Sequence, residues 1–243
     1  MRVAIIGGTG FGESLVAGTP ETIDTEYGAS LVTRGDIGGR RDLIYLARHG
    51  PGHRLPPHRI NHRANIAALR DLGVRVVFAT AAVGSLRHAM APGDCVVLDD
   101  FLDFTKGGPL TFFDTPGNVR HTDFVRPYDP ALRETLLREA PEDLRPRLHP
   151  RGTYLCLSGP RYETPAEVRL FASWGADVVG MTGAPEAILC REAGLPYAAI
   201  ALVTNYGSGL LDATPLSHGE VEARMAASRG ALATWLLRAA RAV

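Results

Sequence analysis

Hydrophobic and polar positions along this chain switch between two periods. Val3–Ile6, Leu43–Ala47 and Tyr197–Thr204 are short apolar runs bounded by glycine or polar residues, the pattern of strands. Val74–Ala82 is almost uninterrupted, as expected for a strand covered on both faces. Asp94–Asp99, Gly152–Leu157 and Val178–Gly180 are further strand candidates. Between them the period lengthens. Asn61–Leu72 puts Ile66, Leu69 and Leu72 on one helical face and meets Gly73 at its end. Thr164-Pro165-Ala166-Glu167 reads as a capping box with proline at the first helical position, opening a helix that ends near Trp174 with Gly175 as its stop. Glu186–Ala193 reads as a helix ending at Gly194, and Ser217-His218-Gly219-Glu220 as a second capping box that opens a C-terminal helix to about Arg241. Gly107–Pro130, rich in Gly, Pro and Asp, predicts a long loop of the kind found at functional sites or subunit interfaces. Strands alternating with helices predict an α/β fold, a three-layer sandwich around a parallel or mixed sheet. No repeat and no shift in composition divides the chain, so residues 1–243 read as a single domain.

Composition narrows the chemistry. The chain is 45% hydrophobic and 21% charged, so it is globular rather than disordered. Cys95, Cys156 and Cys190 have no C-x-x-C spacing, which points to reduced thiols in a cytoplasmic protein. The N-terminal apolar run breaks at Gly7 and Gly8 and reads as a first strand, not a signal peptide. No apolar run approaches the roughly 20 residues of a membrane helix. With 26 basic and 26 acidic residues the chain is not a dedicated nucleic-acid binder. Lys106 is the only lysine, and Gly107 follows it, so there is no P-loop Gly-Lys-Ser/Thr. The N-terminal G-G-T-G-F-G misses the dinucleotide register, because the third glycine would fall on Glu13 or Leu15.

One segment breaks the charge balance. Ala47–Asn65 holds Arg48, Arg54, Arg59 and Arg63 with His49, His53, His58 and His62, and no acid. A local excess of this kind in a neutral protein points to a bound anion, and the arginine fork suits phosphate. A solvated basic loop is the plain alternative. Zinc is another, since His58 and His62 are four apart, but the segment has no carboxylate and the nearest cysteine is Cys95. Other polar groups also follow predicted strands: Thr9 after the first, Gly84-Ser85 after Ala81-Ala82, Thr182 after Met181 and Asn205 after Thr204. Ligands of open α/β sheets bind outside strand ends, which makes these candidates for one site.

The ordered motifs I-I-G-G-T-G at 5–10, A-R-H-G at 47–50, T-A-A-V-G-S-L-R at 80–87, G-P-R-Y-E-T at 159–164, G-A-D-V-V-G-M-T at 175–182 with P-E at 185–186, and V-T-N at 203–205 resemble the trimeric purine nucleoside phosphorylase and methylthioadenosine phosphorylase family. The resemblance runs from Val3 to about Arg238. It implies a nucleoside phosphorylase-like fold and cleavage of a purine nucleoside by inorganic phosphate, giving the free base and a pentose 1-phosphate. It implies phosphate contacts from Thr9, Arg48, His49, the Ala82 backbone and Thr182, and Met181 packed on the pentose. It implies a homotrimer, no metal and no cofactor, with phosphate as co-substrate.

Two ends of the substrate are read from the residues beside that resemblance. Family members that use 6-aminopurines carry Asp-x-Asp where this chain has Asn205-Tyr206-Gly207. An asparagine amide can donate to a 6-oxo group and accept from a protonated N7. Glu163 can accept from N1–H, and Tyr162 can stack on the base. The expected substrates are therefore inosine and guanosine. At the 5′ end, His218 stands where 5′-hydroxyl enzymes of the family have a histidine, and His121 matches a position that reaches the neighbouring subunit's pocket. P-P-H-R-I-N at 56–61 and M-T-G-A-P-E at 181–186 resemble methylthioinosine phosphorylases, so S-methyl-5′-thioinosine is the alternative substrate, with methylthioadenosine behind it. A purine-binding protein without turnover is the non-enzyme alternative. Loss of Arg48, His49 or the Gly-rich turn would favour it, and all are present.

Overall fold

The apolar runs become central strands because both faces of the sheet are covered. The computed structural model describes residues 1–8, 17–36, 39, 42–107, 110–211 and 217–243. Its strands are β1 (Val3–Gly7), β2 (Ala17–Thr25), β3 (Gly28–Asp36), β4 (Leu43–Ala47), β5 (Val76–Ser85), β6 (Cys95–Val97), β7 (Asp100–Phe104), β8 (Leu148–His149), β9 (Thr153–Leu157), β10 (Val178–Gly180) and β11 (Tyr197–Tyr206). Its helices are α1 (His62–Asp71), α2 (Pro130–Glu139), α3 (Pro165–Ser173), α4 (Gly183–Glu192) and α5 (His218–Arg241). Alternate residues of each central strand enter opposite cores. Ala4, Ile6, Val77, Ala79, Ala199 and Ala201 meet Ile66, Leu69, Ala187 and Leu189 from α1 and α4. Val3, Ile5, Phe78, Ile200 and Leu202 meet Leu132, Leu136, Leu232 and Trp235 from α2 and α5. That is the three-layer arrangement, and its period of two explains the unbroken apolar runs. Trp235 Nε1 donates to Leu136 O at 2.8 Å, fixing α5 on α2.

The sheet is mixed, in the order β2-β3-β4-β1-β5-β10-β9-β7, with β11 along the other part of β5 and β6 and β8 beyond it. One feature of register makes the site. Parallel pairing of β1 with β5 stops at Ile6–Ala79, whereas antiparallel pairing of β10 with β5 begins at Gly84–Val179. Between them, the edge of β5 around Thr80 and Ala82 faces a gap. Val77 and Ser85 bond on the opposite, β11 side, through Pro196 O at 2.9 Å and Gly207 N–H at 2.8 Å. The two-residue period therefore turns the backbone groups of Thr80 and Ala82 into the gap.

Several boundaries differ from the sequence reading. The Asp94–Asp99 strand is only Cys95–Val97, and the edge strand Asp100–Phe104 follows it as a separate element. The hairpin β2–β3 and the helix α2 were not read from the pattern. α2 carries its own cap, Asp129 accepting from Leu132 N at 2.9 Å. α4 begins at Gly183, three residues before Glu186. Both halves of the Thr164–Glu167 capping box are formed. The second box is not: Ser217 makes no side-chain cap bond, and α5 is held instead by packing. The segment 110–128 forms no helix or strand, as its composition predicts.

Candidate active site

A cavity of about 420 Å³ opens at the gap. It is lined by Arg48 and His49 after β4, Ala82 on β5, Tyr162 and Glu163 before α3, Met181 and Thr182 after β10, Asn205 on β11 and His218 at the start of α5. These are the residues the sequence singled out, with two exceptions. Thr9 lies outside the described residues. His121 is exposed on the 110–128 segment and does not line its own chain's cavity. The rest of the basic segment does not reach this cavity: Arg59 is exposed, His58, His62 and Arg63 line a separate pocket of about 210 Å³, and Arg63 pairs with Asp114 at 2.8 Å. Only Arg48, His49, His53 and Arg54 of that cluster line the cavity.

Arg48 is buried to 2% exposure. Glu186, in the first turn of α4, holds Nε at 2.5 Å and Nη2 at 2.7 Å in a fork, while Nη1 donates to Thr80 O at 2.8 Å. Tyr197 OH donates to the same carboxylate at 3.0 Å. Burial opposes the Arg48 charge, and the Glu186 carboxylate overrides it, holding the guanidinium's pKa above its ordinary value. One N–H on each terminal nitrogen of Arg48 remains for a ligand. Gly8 is glycine for this reason: a Cβ there would stand 2.5 Å from Arg48 Nη1. In sequence Glu186 stands out only within the P-E motif and at the start of a predicted helix. The signal for it was an acid within the apolar run 183–190 of the helix, where an acid is rarely buried without a cation.

His49 donates from Nδ1 to Leu55 O at 2.8 Å. Burial pushes its imidazole down to about 3, with Arg48 adding to the push and the Leu55 bond opposing it. His53 stacks on His49 with ring centroids 4.0 Å apart and approaches His218 at 6.0 Å. His53 has φ 55, a left-handed conformation uncommon for a residue with a Cβ. In sequence His53 is one of four similar histidines of the basic segment, and the backbone conformation that places it is invisible in composition.

At the other wall, Tyr154 OH accepts from the amides of Thr182 and Gly183, each at 3.2 Å. Those first amides of α4 are therefore used, and Thr182 can offer a ligand its hydroxyl. Met181 packs so closely on Gly159, which has φ +61, that a Cβ there would meet its sulfur at 2.4 Å. Asn205 Nδ2 donates to Tyr206 O at 2.9 Å and its Oδ1 accepts from Thr204 Oγ1 at 2.8 Å. Because a carbonyl only accepts, this fixes which way the amide points. A register shift between Val203 and Asn205 turns the amide out of the ladder. Glu163 is buried to 6% exposure and makes no ion pair among the described residues. Burial raises its carboxyl above the ordinary value. His218 is half-exposed, with Nε2 3.4 Å from Glu222 Oε1. Among the described residues, no group of three His, Cys, Asp or Glu could hold a metal ion, and no helix is long and apolar enough to cross a membrane.

Comparisons with known proteins agree with this arrangement. The 6-oxopurine nucleoside phosphorylase of Pyrococcus furiosus is 47% identical over 227 residues, covering 90% of this chain and 84% of the relative. A protein of Methanopyrus kandleri named probable S-methyl-5′-thioinosine phosphorylase is 47% identical over 215 residues, covering 87% and 81%. Among solved structures, methylthioadenosine phosphorylase from Schistosoma mansoni in complex with adenine superposes with a TM-score of 0.92 at 32% identity, over 99% of this chain and 91% of that one. The profile of the phosphorylase superfamily matches residues 2–241, nearly the whole sequence. With the split sheet, the buried Arg48 and the cavity that joins them, this makes the chain a member of the phosphorylase superfamily.

Proposed function

We propose that this enzyme cleaves 6-oxopurine nucleosides, inosine and guanosine, by phosphorolysis, giving the free base and a pentose 1-phosphate. The observation that carries the reading is Glu163, a buried carboxylate with no ion-pair partner among the described residues, in one cavity with the Asn205 amide. A buried acceptor of this kind requires a donor from the ligand. Hypoxanthine and guanine supply N1–H, and guanine adds an amino group. Asn205 has one free N–H for O6 and an oxygen that can accept from N7–H. Tyr162 lies along the base. Arg48, Thr182, His49 and the Ala82 amide hold phosphate below the pentose, with Thr9 as a further contact carried from the family resemblance. The dianion then faces the cationic sugar of an oxocarbenium-like transition state. The reaction asks for no metal and no organic cofactor. Base release should depend on phosphate, with arsenate able to replace it. Equal release in phosphate-free buffer would defeat the reading.

The 5′ end favours a second reading strongly enough to be tested beside the first. His218 leans toward Glu222, and Val221 also lines the cavity, so the 5′ group meets both an imidazole and an apolar side chain. Relatives named for 6-oxopurine nucleosides and for methylthioinosine stand at the same identity. The same assay, run on inosine and S-methyl-5′-thioinosine, decides between them. Inosine is the expected better substrate. A preference for methylthioinosine above about tenfold, or 1.4 kcal/mol, assigns the second function and leaves His218 as the first residue of α5.

The active unit is proposed to be a homotrimer in the cytoplasm, with His121 of one subunit reaching the 5′ end of the next site. What supports this is that His121 stands exposed and outside its own cavity. A closed ring presents two different patches on each protomer. Light scattering should give three times the 26.0 kDa chain mass, and a fully active monomer would contradict the shared site.

A further inference from the structure

We propose that His49 reads the proton on the bound anion: Nε2 accepts a hydrogen bond from the P–OH of hydrogenphosphate, and the site thereby rejects sulfate. This role for His49 rests on the phosphorolysis reading above, and the ring's tautomer makes it available. Nδ1 lies 2.8 Å from Leu55 O. A carbonyl oxygen can only accept, so Nδ1 carries the ring proton. The ring lines the cavity, one face covered by His53, and Nε2 is its remaining hydrogen-bonding atom. Among the described residues nothing donates to Nε2. Burial keeps the ring neutral at ordinary pH, so Nε2 offers a lone pair and no proton.

Charge cannot make the selection in its place. The Arg48 cation is already paired with the Glu186 carboxylate, and Glu186 takes two of its donors. What remains for the anion is a short set of directed hydrogen bonds: two N–H groups of Arg48, the Thr182 hydroxyl, the Ala82 amide with Thr9 as a further contact carried from the family resemblance, and one acceptor, Nε2. Hydrogenphosphate and sulfate are both dianions near neutral pH and nearly equal in size. They differ in that hydrogenphosphate carries one proton. Against Nε2, hydrogenphosphate places an O–H, and sulfate places a lone pair. The buried acceptor then goes unsatisfied.

Two isosteric pairs test this on the unmodified enzyme. Phosphate and arsenate carry a proton; sulfate and selenate do not, and arsenate matches selenate in size. With inosine at fixed ionic strength, sulfate and selenate should inhibit competitively against phosphate, with inhibition constants at least about tenfold above the KM values of phosphate and arsenate. His49→Gln, whose amide can rotate to present N–H or oxygen, should shrink both ratios at least about tenfold. Ratios under about threefold in the wild type, or ratios unchanged in a folded His49→Gln, overturn the assignment. The wild-type pairs stand alone if that variant does not fold. An enzyme with no phosphate-dependent base release defeats the phosphorolysis reading. An active enzyme that binds sulfate as well as phosphate defeats only this one.

Discussion

Replacing Arg48 with alanine is expected to lower phosphorolysis by about 10² or more and to destabilise the fold at the same time. The first effect follows from losing the two donors that the proposed function assigns to phosphate. The second follows from Glu186, whose side chain is 2% exposed and would be left, among the described residues, with the Tyr197 hydroxyl. Removing one partner of a buried ion pair typically costs about 3–5 kcal/mol. Steady-state kinetics and denaturant unfolding measure the two losses separately. Exchanging both partners, as Arg48→Met with Glu186→Leu, should recover much of the stability, because an apolar replacement removes both desolvated charges. It should recover none of the activity. If the single variant keeps wild-type stability, Glu186 is not held by Arg48 as described; if the double variant is active, Arg48 is a scaffold residue alone.

Base selection is the other large effect. The wild-type enzyme should prefer inosine to adenosine by a factor that can reach about 10⁴, the range seen when a buried hydrogen-bonding group loses its partner. Asn205→Asp should narrow that gap without inverting it. The aspartate can accept from a 6-amino group, but it also sets a carboxylate oxygen against Tyr206 O, where Nδ2 now donates at 2.9 Å. Glu163 adds a pH signature. Its carboxyl titrates above the ordinary carboxylate range because it is buried, and the ionised form is the stronger acceptor for N1–H. As pH falls through that raised value, kcat/KM for inosine should fall, so the acid limb lies higher than an exposed carboxylate would put it. Glu163→Gln should lower kcat/KM and abolish that limb. A wild type that cleaves adenosine as fast as inosine would show that Asn205 and Glu163 do not choose the base.

Much of this molecule was legible from the chain alone. Unbroken apolar runs flanked by helical periods determine a sheet buried on both sides, because such strands have no face to give to water. Gly73, Gly175 and the Thr164 capping box determine helix ends, since their effects are local. The cluster at 47–65 pointed to the end of the sheet where the cavity opens, and the N-terminal motifs marked the strand that runs up to it. The hairpin β2–β3 escaped because its strands, with burial mixed along their length, carry no clean alternation. The false cap at Ser217 shows the converse: a residue type that can cap does so only when the backbone presents it.

Tertiary structure alone decided which charges matter. Four arginines in one segment look alike in sequence, yet only one is buried. Its partner, Glu186, lies 138 residues away and is brought to it by the packing of α4 beneath the gap in the sheet. The same holds for His49. The imidazole's tautomer is set by a carbonyl six residues on, through a turn that also throws His53 into a left-handed conformation. Periodicity encodes which face of an element is apolar, because that depends on neighbours in the chain. Protonation, pairing and the direction of a hydrogen bond depend on neighbours in space, and those exist only once the fold has closed.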